Sequence, residues 1–268
     1  MLEREAGVRL LERAGRGVRL TDPALVLVDH ADALLERAAL AEADLAAAAG
    51  TVAGRGRIAG FQSVALHLAL PAIEALARDH PRLRCELIEA EPEQALPALA
   101  LGDLSLVLGD EWPHQPWQLP RGLVAHELFE DPVGLVLPAN HPAAERHQDA
   151  VPLAELAGEA WTTGHAGMAW EEMTRRTCRA HGGFDPDIRH RTNDANVSLA
   201  LVARGLTVTM LPDLPLPDRY PGIARRAIAE GPFGRRIYAV TRFADAVRPS
   251  TQALLRAVQN AAVVLLRT

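Results

Sequence analysis

The longest uninterrupted stretch of this sequence constrains its fold most. Residues 24–49 contain neither glycine nor proline, and the segment is preceded by Thr21-Asp22-Pro23 and followed by Gly50. Capping side chains followed by proline are typical of a helix start, and glycine is typical of a helix end. The pattern predicts one helix over residues 22–50, on the order of 40 Å long at about 1.5 Å per residue.

The apolar residues of this helix follow a coiled-coil repeat. Spacings of four and three residues alternate along the seam Leu27, Ala31, Leu34, Ala38, Ala41 and Leu45. The seam could pack on the helix's own domain, but no apolar segment nearby is long enough to cover it. We therefore expect a second copy of the chain to supply the partner helix.

The segment before this helix predicts a small hairpin. Apolar residues in Val8–Leu11 and Gly17–Thr21 flank a Gly-x-Gly turn. Arg13, Arg16 and Arg19 lie in or beside the turn, where they could contact phosphate oxygens of a nucleic acid. The alternative is a solvated charged loop.

The residues of this region resemble a known family. The order LE-x-x-x-G-V-x-L-L-x-R, an arginine-bearing turn, V-x-L-T and a long helix resembles the end of the winged helix-turn-helix of LysR-type transcriptional regulators. The resemblance places Leu2-Glu3 near the end of the recognition helix and makes the hairpin the wing. Leu11 stands where the family has phenylalanine, and Pro23-Ala24 replaces its usual A-G.

The resemblance implies a division of the chain. Residues 1–21 would be a remnant of the winged domain, 22–50 the dimerisation linker and 55–268 an effector-binding domain. In the family, two further helices and most of the recognition helix precede Leu2, so we expect that the start is assigned too late or that the N-terminus was lost. The sequence as written should bind DNA weakly, with strong salt dependence and little sequence preference.

After Gly50, short predicted strands alternate with helices, which is typical of parallel β-α-β units. Two such series joined by two crossings predict an α/β, two-lobed effector domain like that of periplasmic solute-binding proteins. We expect the crossings near Glu127–Pro132, between separate strands at 123–128 and 133–137, and near Gly234–Val240. Lobe I would then comprise about 55–129 and 241–268, and lobe II about 130–237.

Ligands of open α/β sheets bind beyond the carboxyl ends of strands, where helix N-termini point. Three predicted strands end in polar residues that begin or precede a helix. The candidate ligand-binding residues are Gln62, Ser63, Thr163, His165, Asn193 and Asn196. We expect a small effector between the lobes, such as a carboxylate. Ser63 and Asp194 could instead be simple helix caps.

Other residues carry weaker signals. Arg191 could add positive charge to the cleft, or point to solvent from its strand. Trp112, His114 and Trp117 could form an aromatic cleft wall, or belong to a packed surface loop.

Composition and motifs narrow the functional class. The chain is 49% hydrophobic with a net charge of −6, which argues against broad coating of nucleic acid but does not exclude a local basic tip. It contains no segment that predicts a membrane span and no signal peptide. It also lacks the catalytic and metal-binding motifs H-E-x-x-H, C-x-x-C and G-x-S-x-G. An enzyme of two-domain α/β type is therefore not favoured, and no cofactor or metal is expected.

Some regulators of this family sense oxidants with a cysteine pair. The two cysteines here, Cys85 and Cys178, are far apart in sequence, and nothing in the sequence marks either as activated. We therefore do not expect redox sensing.

The sequence predicts a cytoplasmic, ligand-responsive, DNA-binding regulator of LysR type that forms a homodimer or homotetramer. The alternative is a solute-binding module without a DNA-binding function.

Overall fold

The structure is a computed structural model. It describes residues 2–14, 17–28, 30–31, 34, 37, 41, 45, 52–113, 115–116, 119–217 and 219–267.

The N-terminal hairpin consists of β1 (Leu11–Ala14) and β2 (Gly17–Leu20), preceded by the short helix α1 (Leu2–Ala6). The carboxylate of Glu3 accepts hydrogen bonds from the backbone N–H groups of Leu10, at 2.7 Å, and Leu11, at 3.1 Å. The first strand was predicted to begin at Val8. It begins at Leu11 instead, because Glu3 of α1 binds the backbone N–H group of Leu10, which precedes the strand.

The predicted long helix begins where its capping residues are. The Thr21 hydroxyl accepts from the backbone N–H of Ala24 at 3.3 Å and donates to the carbonyl of Arg9 at 2.7 Å. Residues 22–28, 30–31, 34, 37, 41 and 45 are helical, whereas Ala38 of the seam and the predicted end at Gly50 lie outside the described residues.

A sheet of eight strands runs through the rest of the chain. The strands are β3 (Gly54–Gly60), β4 (Leu83–Glu89), β5 (Leu106–Glu111), β6 (Leu123–Pro138), β7 (Ala150–Val151), β10 (Thr209–Pro212), β11 (Ile223–Ile228) and β12 (Phe233–Arg242). Their order in the sheet is β4-β3-β5-β12-β6-β11-β7, and β10 also pairs with β6. A separate parallel pair is formed by β8 (Ala160–Thr163) and β9 (Asp187–Arg191).

The helices cover the faces of these sheets. One continuous helix, α2, is α-helical in Gln62–Val64, widens to a π-helix in Ala65–Ala69 and is α-helical again in Leu70–Asp79. The others are α3 (Pro92–Leu101), α4 (Pro142–Arg146), α5 (Ala169–Thr177, extended by a π turn, Cys178–Gly182), α6 (Ala195–Ala203) and α7 (Pro249–Leu265). Gly102 ends α3 with a φ of 93°, a left-handed conformation that glycine adopts without strain.

The buried apolar residues form two groups of clusters, one in each lobe. In lobe I, Ile58, Leu68 and Leu106 pack with Leu254 of the C-terminal helix. In lobe II, Leu135, Leu153 and Trp161 lie in the largest cluster. The expected α/β fold with two lobes is confirmed.

Two long antiparallel strands, β6 and β12, join the lobes. Sequence analysis predicted separate strands at 123–128 and 133–137, with Glu130-Asp131-Pro132 between them. They form one continuous strand, because β12 pairs along its whole length, from Phe233 opposite Val133 to Arg242 opposite Leu123. The strand β11 and the helix α4 were not predicted.

A buried ion cluster lies where these strands cross between the lobes. Asp131 and Arg235 are 2% and 6% exposed. The Arg235 guanidinium binds Asp131 through Nε at 2.9 Å and Asp110 through Nη1 at 2.9 Å. The second Asp131 oxygen accepts from the backbone N–H of Leu214 at 2.9 Å. The cluster therefore ties lobe I, the crossing and the loop after β10 together.

No helix in the described parts of the chain is long and apolar enough to cross a membrane.

Assembly through the long helix is testable. Within one chain the seam leucines are open to solvent, with Leu34 71% and Leu45 72% exposed. Replacing Leu27 and Leu34 by aspartate would place unpaired charge in a helix–helix interface. Light scattering should then show the wild type as a dimer or larger assembly and the double variant as dissociated chains.

The control for this prediction is Ala39→Asp with Ala46→Asp. These two positions have the same spacing as Leu27 and Leu34 but lie off the seam of the repeat, so the double change should leave the assembly intact. A wild type that is monomeric at micromolar concentration would contradict the prediction.

Because only one of two adjacent arginines belongs to the ion cluster, we expect the two to contribute very differently to the free energy of unfolding. Arg235→Ala leaves the carboxylates of Asp110 and Asp131 without their cation and should lower the free energy of unfolding by about 3–5 kcal/mol. The neighbouring Arg236 pairs with Glu111 but is 47% exposed, so Arg236→Ala should cost about 1 kcal/mol or less. Urea denaturation of both variants makes the comparison. Equal losses would show that the cluster does not stabilise the crossing.

Candidate functional site

A cleft of about 320 Å³ lies between the two lobes, beside the crossing strands. The strand ends and helix starts of both lobes meet there, as the topology of open α/β sheets requires. Its walls combine acidic, amide and aromatic side chains. The polar and aromatic lining residues are Phe61, Gln62, Ser63, Glu89, Glu91, Glu93, Asp110, Trp112, Trp170, Asn193, Asp194 and Arg235.

The first turn of α2 forms part of the lobe I wall. Strand β3 ends at Gly60, and Gln62 and Ser63 follow as the first helical residues. Ser63 is only 7% exposed, and its hydroxyl accepts a long hydrogen bond, 3.4 Å, from Nη2 of Arg235. The start of this helix is thereby held against the ion cluster at the crossing.

The lobe II wall is built around Asn193, which lies between β9 and α6. Its side-chain oxygen accepts from the backbone N–H of His165 at 3.2 Å. Gly164 lies close beside it: a Cβ there would be 3.1 Å from that same oxygen and 3.2 Å from the Trp170 ring, so a larger residue would require both side chains to shift by a few tenths of an ångström. The carboxylate of Asp194 caps α6 by accepting from the backbone N–H groups of Asn196 and Val197.

Two hydrogen bonds span the cleft. The Asn193 side-chain amide donates to Oε1 of Glu91 at 2.9 Å. The backbone N–H of Ala195 donates to the side-chain oxygen of Gln62 at 3.4 Å. Both bonds join the start of a lobe I helix to the start of a lobe II helix. A ligand entering the cleft can compete for the same side chains.

Glu91 is the most perturbed acid of the cleft. Burial, together with the nearby carboxylates of Asp110 and Glu93, raises the pKa of Glu91 to about 7, although Asn193 and Arg235 oppose the shift. Its side chain makes no capping bond at the start of α3 and faces the cleft instead. A change of charge at this position can therefore occur close to neutral pH.

Aromatic rings support the cluster at the cleft. The Arg235 guanidinium lies 4.9 Å from the centroid of the Phe61 ring and 5.7 Å from that of Trp112. Trp170 is fixed by a hydrogen bond of 2.9 Å from its Nε1 to the Met210 carbonyl. Of the three residues predicted to form an aromatic cleft wall, Trp112 lines the cleft, whereas His114 and Trp117 lie outside the described residues.

Of the predicted ligand-binding residues, the structure brings Gln62, Ser63 and Asn193 to the cleft. The side chain of Thr163 is buried and lies 3.3 Å from the Thr174 hydroxyl. His165 is exposed and approaches the site only through its backbone N–H.

Two further polar candidates do not line the cleft. Asn196 is exposed, and its backbone rather than its side chain takes part in the cap of α6. Arg191 pairs with Glu171 at 3.3 Å and adds no charge to the lining.

Sequence reasoning missed Glu91, Trp170 and Arg235. Glu91 follows the end of β4 and precedes Pro92, so the rule that selected Ser63 could have found it. Arg235 lies in a strand far along the chain, and no local pattern marks a side chain that reaches the cleft through strand pairing.

The cysteines lie in different cores and neither is activated. Burial raises the pKa of the Cys85 thiol, and that of Cys178 to about 12. A thiol with a raised pKa is a poor nucleophile at neutral pH. Among the described residues, no group of three or more His, Cys, Asp or Glu side chains could hold a metal ion.

Comparisons with known proteins agree with this architecture. The family described as LysR substrate binding domain matches residues 49–263. The DNA-binding transcriptional dual regulator OxyR of Escherichia coli is 30% identical over 216 residues, which are 81% of this chain and 68% of that protein. The HTH-type transcriptional regulator ShiR of Corynebacterium glutamicum is 31% identical over 213 residues, covering 78% of this chain and 69% of that protein.

A solved structure of a Corynebacterium glutamicum OxyR variant superposes with a TM-score of 0.68 at 22% identity, covering 99% of this chain and 83% of that one. The likeness at this identity concerns the fold. With the family match over most of the sequence, these findings show that the chain belongs to the LysR family of transcriptional regulators.

Proposed function

We propose that this regulator responds to a small effector that binds in the cleft between its lobes, and that the response is transmitted to DNA bound by its N-terminal hairpin. The observation that carries the proposal is the pair of hydrogen bonds across the cleft, Asn193 to Glu91 and Ala195 to Gln62. They are made by groups that line the cavity, so occupancy of the cavity and closure of the lobes are coupled.

The proposed mechanism is a shift between closed and open lobes. A ligand that binds one arrangement more tightly moves the population toward it by its difference in affinity. Hydrogen bonds of this kind contribute about 0.5–1.5 kcal/mol each, so two of them can be exchanged for ligand contacts without unfolding either lobe. In an oligomer this movement would change the spacing of the DNA-binding hairpins.

The proposal includes the division into a wing at 1–21, a dimerisation helix at 22–50 and an effector domain at 55–268. It also includes a cytoplasmic location and the absence of enzymatic activity. The named relatives are transcriptional regulators, which agrees with a regulatory rather than a catalytic role. The alternative, a solute-binding module without DNA function, is not favoured for the same reason.

The wing arginines are proposed to bind DNA unequally. Arg19 pairs with Glu12 across the hairpin, Nε to Oε1 at 2.8 Å, and this partner competes with phosphate. Arg13 is exposed on the facing strand, whereas Arg16 lies outside the described residues. We therefore expect Arg13 and Arg16 to supply more of the phosphate contacts than Arg19.

The effector is sensed by binding rather than by oxidation in this proposal, because neither thiol is activated. A thermal-shift screen of small organic acids, amines, sugars and aromatic metabolites should find a stabilising ligand. Hydrogen peroxide in the same screen should leave the melting temperature unchanged.

Variants of the lining residues locate the bound effector. Ser63→Ala and Asn193→Ala each remove a hydrogen-bonding group of the cleft and should weaken binding several-fold, as expected for the loss of about 0.5–1.5 kcal/mol. Asn196→Ala removes the same kind of amide outside the lining and serves as the control. A ligand whose affinity is unchanged in both cleft variants would show that it binds elsewhere.

Phosphate contact by the wing is tested with duplex DNA of random sequence. Arg13→Ala combined with Arg16→Ala should weaken binding in a shift assay. It should also reduce the slope of log affinity against log salt by roughly one for each phosphate that the variant no longer neutralises. Arg19→Ala should have a smaller effect. The control is Arg121→Ala, an exposed arginine of the effector domain. An unchanged slope in the double variant would remove the wing from the DNA interface.

A further inference from the structure

Acidic side chains outnumber basic ones in the lining of the cleft. Five acidic side chains, Glu89, Glu91, Glu93, Asp110 and Asp194, face one arginine, Arg235, among the described lining residues. The N-termini of helices α2 and α6 favour an anion, which is why a carboxylate was expected. Side-chain charges outweigh the partial charge of a helix end, so the sign of the cleft depends on how these six groups are paired.

The arginine is already neutralised. Its guanidinium makes short bonds to the carboxylates of Asp131 and Asp110 and is packed between the Phe61 and Trp112 rings. The guanidinium also donates to the Ser63 hydroxyl at 3.4 Å. Two carboxylates against one cation leave no net positive charge for an anionic ligand.

Three of the acids have no cationic side chain as a partner among the described residues. Asp110 is used by Arg235, and Asp194 is used by the backbone amides at the start of α6. Within the described parts of the chain, no arginine lies at ion-pairing distance from Glu89, Glu91 or Glu93, and the bond to Glu91 comes from the neutral amide of Asn193. These three glutamates follow one another at alternate positions along the lobe I wall.

Resting on the proposed function, we infer that the effector is a small organic cation whose protonated amine or guanidinium group binds between Glu91 and its neighbouring glutamates. Glu91 is the central contact, since it is half-buried in the cleft and exchanges one amide partner for a charged one. A charge-assisted bond is stronger than the neutral one it replaces. Trp170 on the lobe II wall offers an aromatic ring to the same cation.

The protonation of Glu91 adds a signature that a structural role would not produce. With a pKa of about 7, this carboxyl is partly protonated at neutral pH, and a bound cation lowers its pKa. Cation binding therefore releases a proton, and affinity should rise between pH 6 and pH 8. The charged groups that face Glu91 are Asp110, Glu93 and Arg235, and Glu89 lines the same wall.

Calorimetric titration of the full chain tests the inference with four probes. Cadaverine and agmatine carry the cationic groups, glutarate carries two carboxylates on a chain of similar length, and n-butylurea supplies a neutral analogue of guanidinium. At pH 8 at least one cation should bind about tenfold or more tightly than glutarate and n-butylurea. Titration in buffers of different ionisation enthalpy should show proton release at pH 7.

Substitutions of glutamate by glutamine test the negative charge of the site while they keep its shape. Glu91→Gln keeps an oxygen that can accept from Asn193 and should weaken cation binding about tenfold or more, in line with the removal of a charge-assisted bond. It should also abolish the proton release. Glu93→Gln, on an exposed side chain, gives a second reduction without disturbing the interior. Glu145→Gln, an exposed acid of lobe II outside the cleft, should change neither property.

Tighter binding of glutarate than of the cations would overturn the inference and leave the effector cleft standing. Cation binding that is unaffected by Glu91→Gln and Glu93→Gln would place the cation elsewhere and overturn it too. Absence of binding by both cations also counts against it. The proposed function is judged separately, by whether any ligand of the wider screen depends on Ser63 and Asn193.

Discussion

The buried pair of Asp131 and Arg235 is the interaction on which the rest of the structure depends. It lies on the two strands that pass between the lobes, and its further partners, Asp110 and the Leu214 amide, extend it to both sides. Charges buried this deeply are tolerated only where they are paired and hydrogen-bonded. Any arrangement that separates the strands leaves at least one charge uncompensated, so the cluster favours the paired strands at the crossing.

The two hydrogen bonds across the cleft are much weaker than this buried ion cluster. One bond joins Asn193 to Glu91 and another joins Ala195 to Gln62, and both are accessible from the cavity. In the proposed mechanism a small ligand shifts the lobes at the cleft while the crossing stays paired, because its contacts replace only these two bonds. Arg235 lines the cleft but contributes support rather than free charge to a ligand, because Asp110 and Asp131 already pair with it.

Membership of a family does not by itself decide what a member senses. Some relatives of this chain are named for peroxide response, yet here the Cys178 thiol is buried with a pKa of about 12 and Cys85 lies in the other lobe. The cleft that we propose as the effector site is lined by acids and not by cysteines, among the described residues. The proposed cationic ligand class follows from Glu89, Glu91 and Glu93 rather than from the names of relatives.

The sequence by itself determined the elements that depend on neighbouring residues. The alternation of strands and helices, the start of the long helix at Thr21 and the placement of Gln62, Ser63 and Asn193 at strand ends all follow from local pattern. Only the tertiary structure decided which of these residues meet. Thr163 turns into the core of lobe II, where its hydroxyl meets that of Thr174, and Arg235 reaches the cleft from a distant strand. Strand register and burial bring such residues together, and both depend on contacts between segments far apart in the chain, which no local pattern encodes.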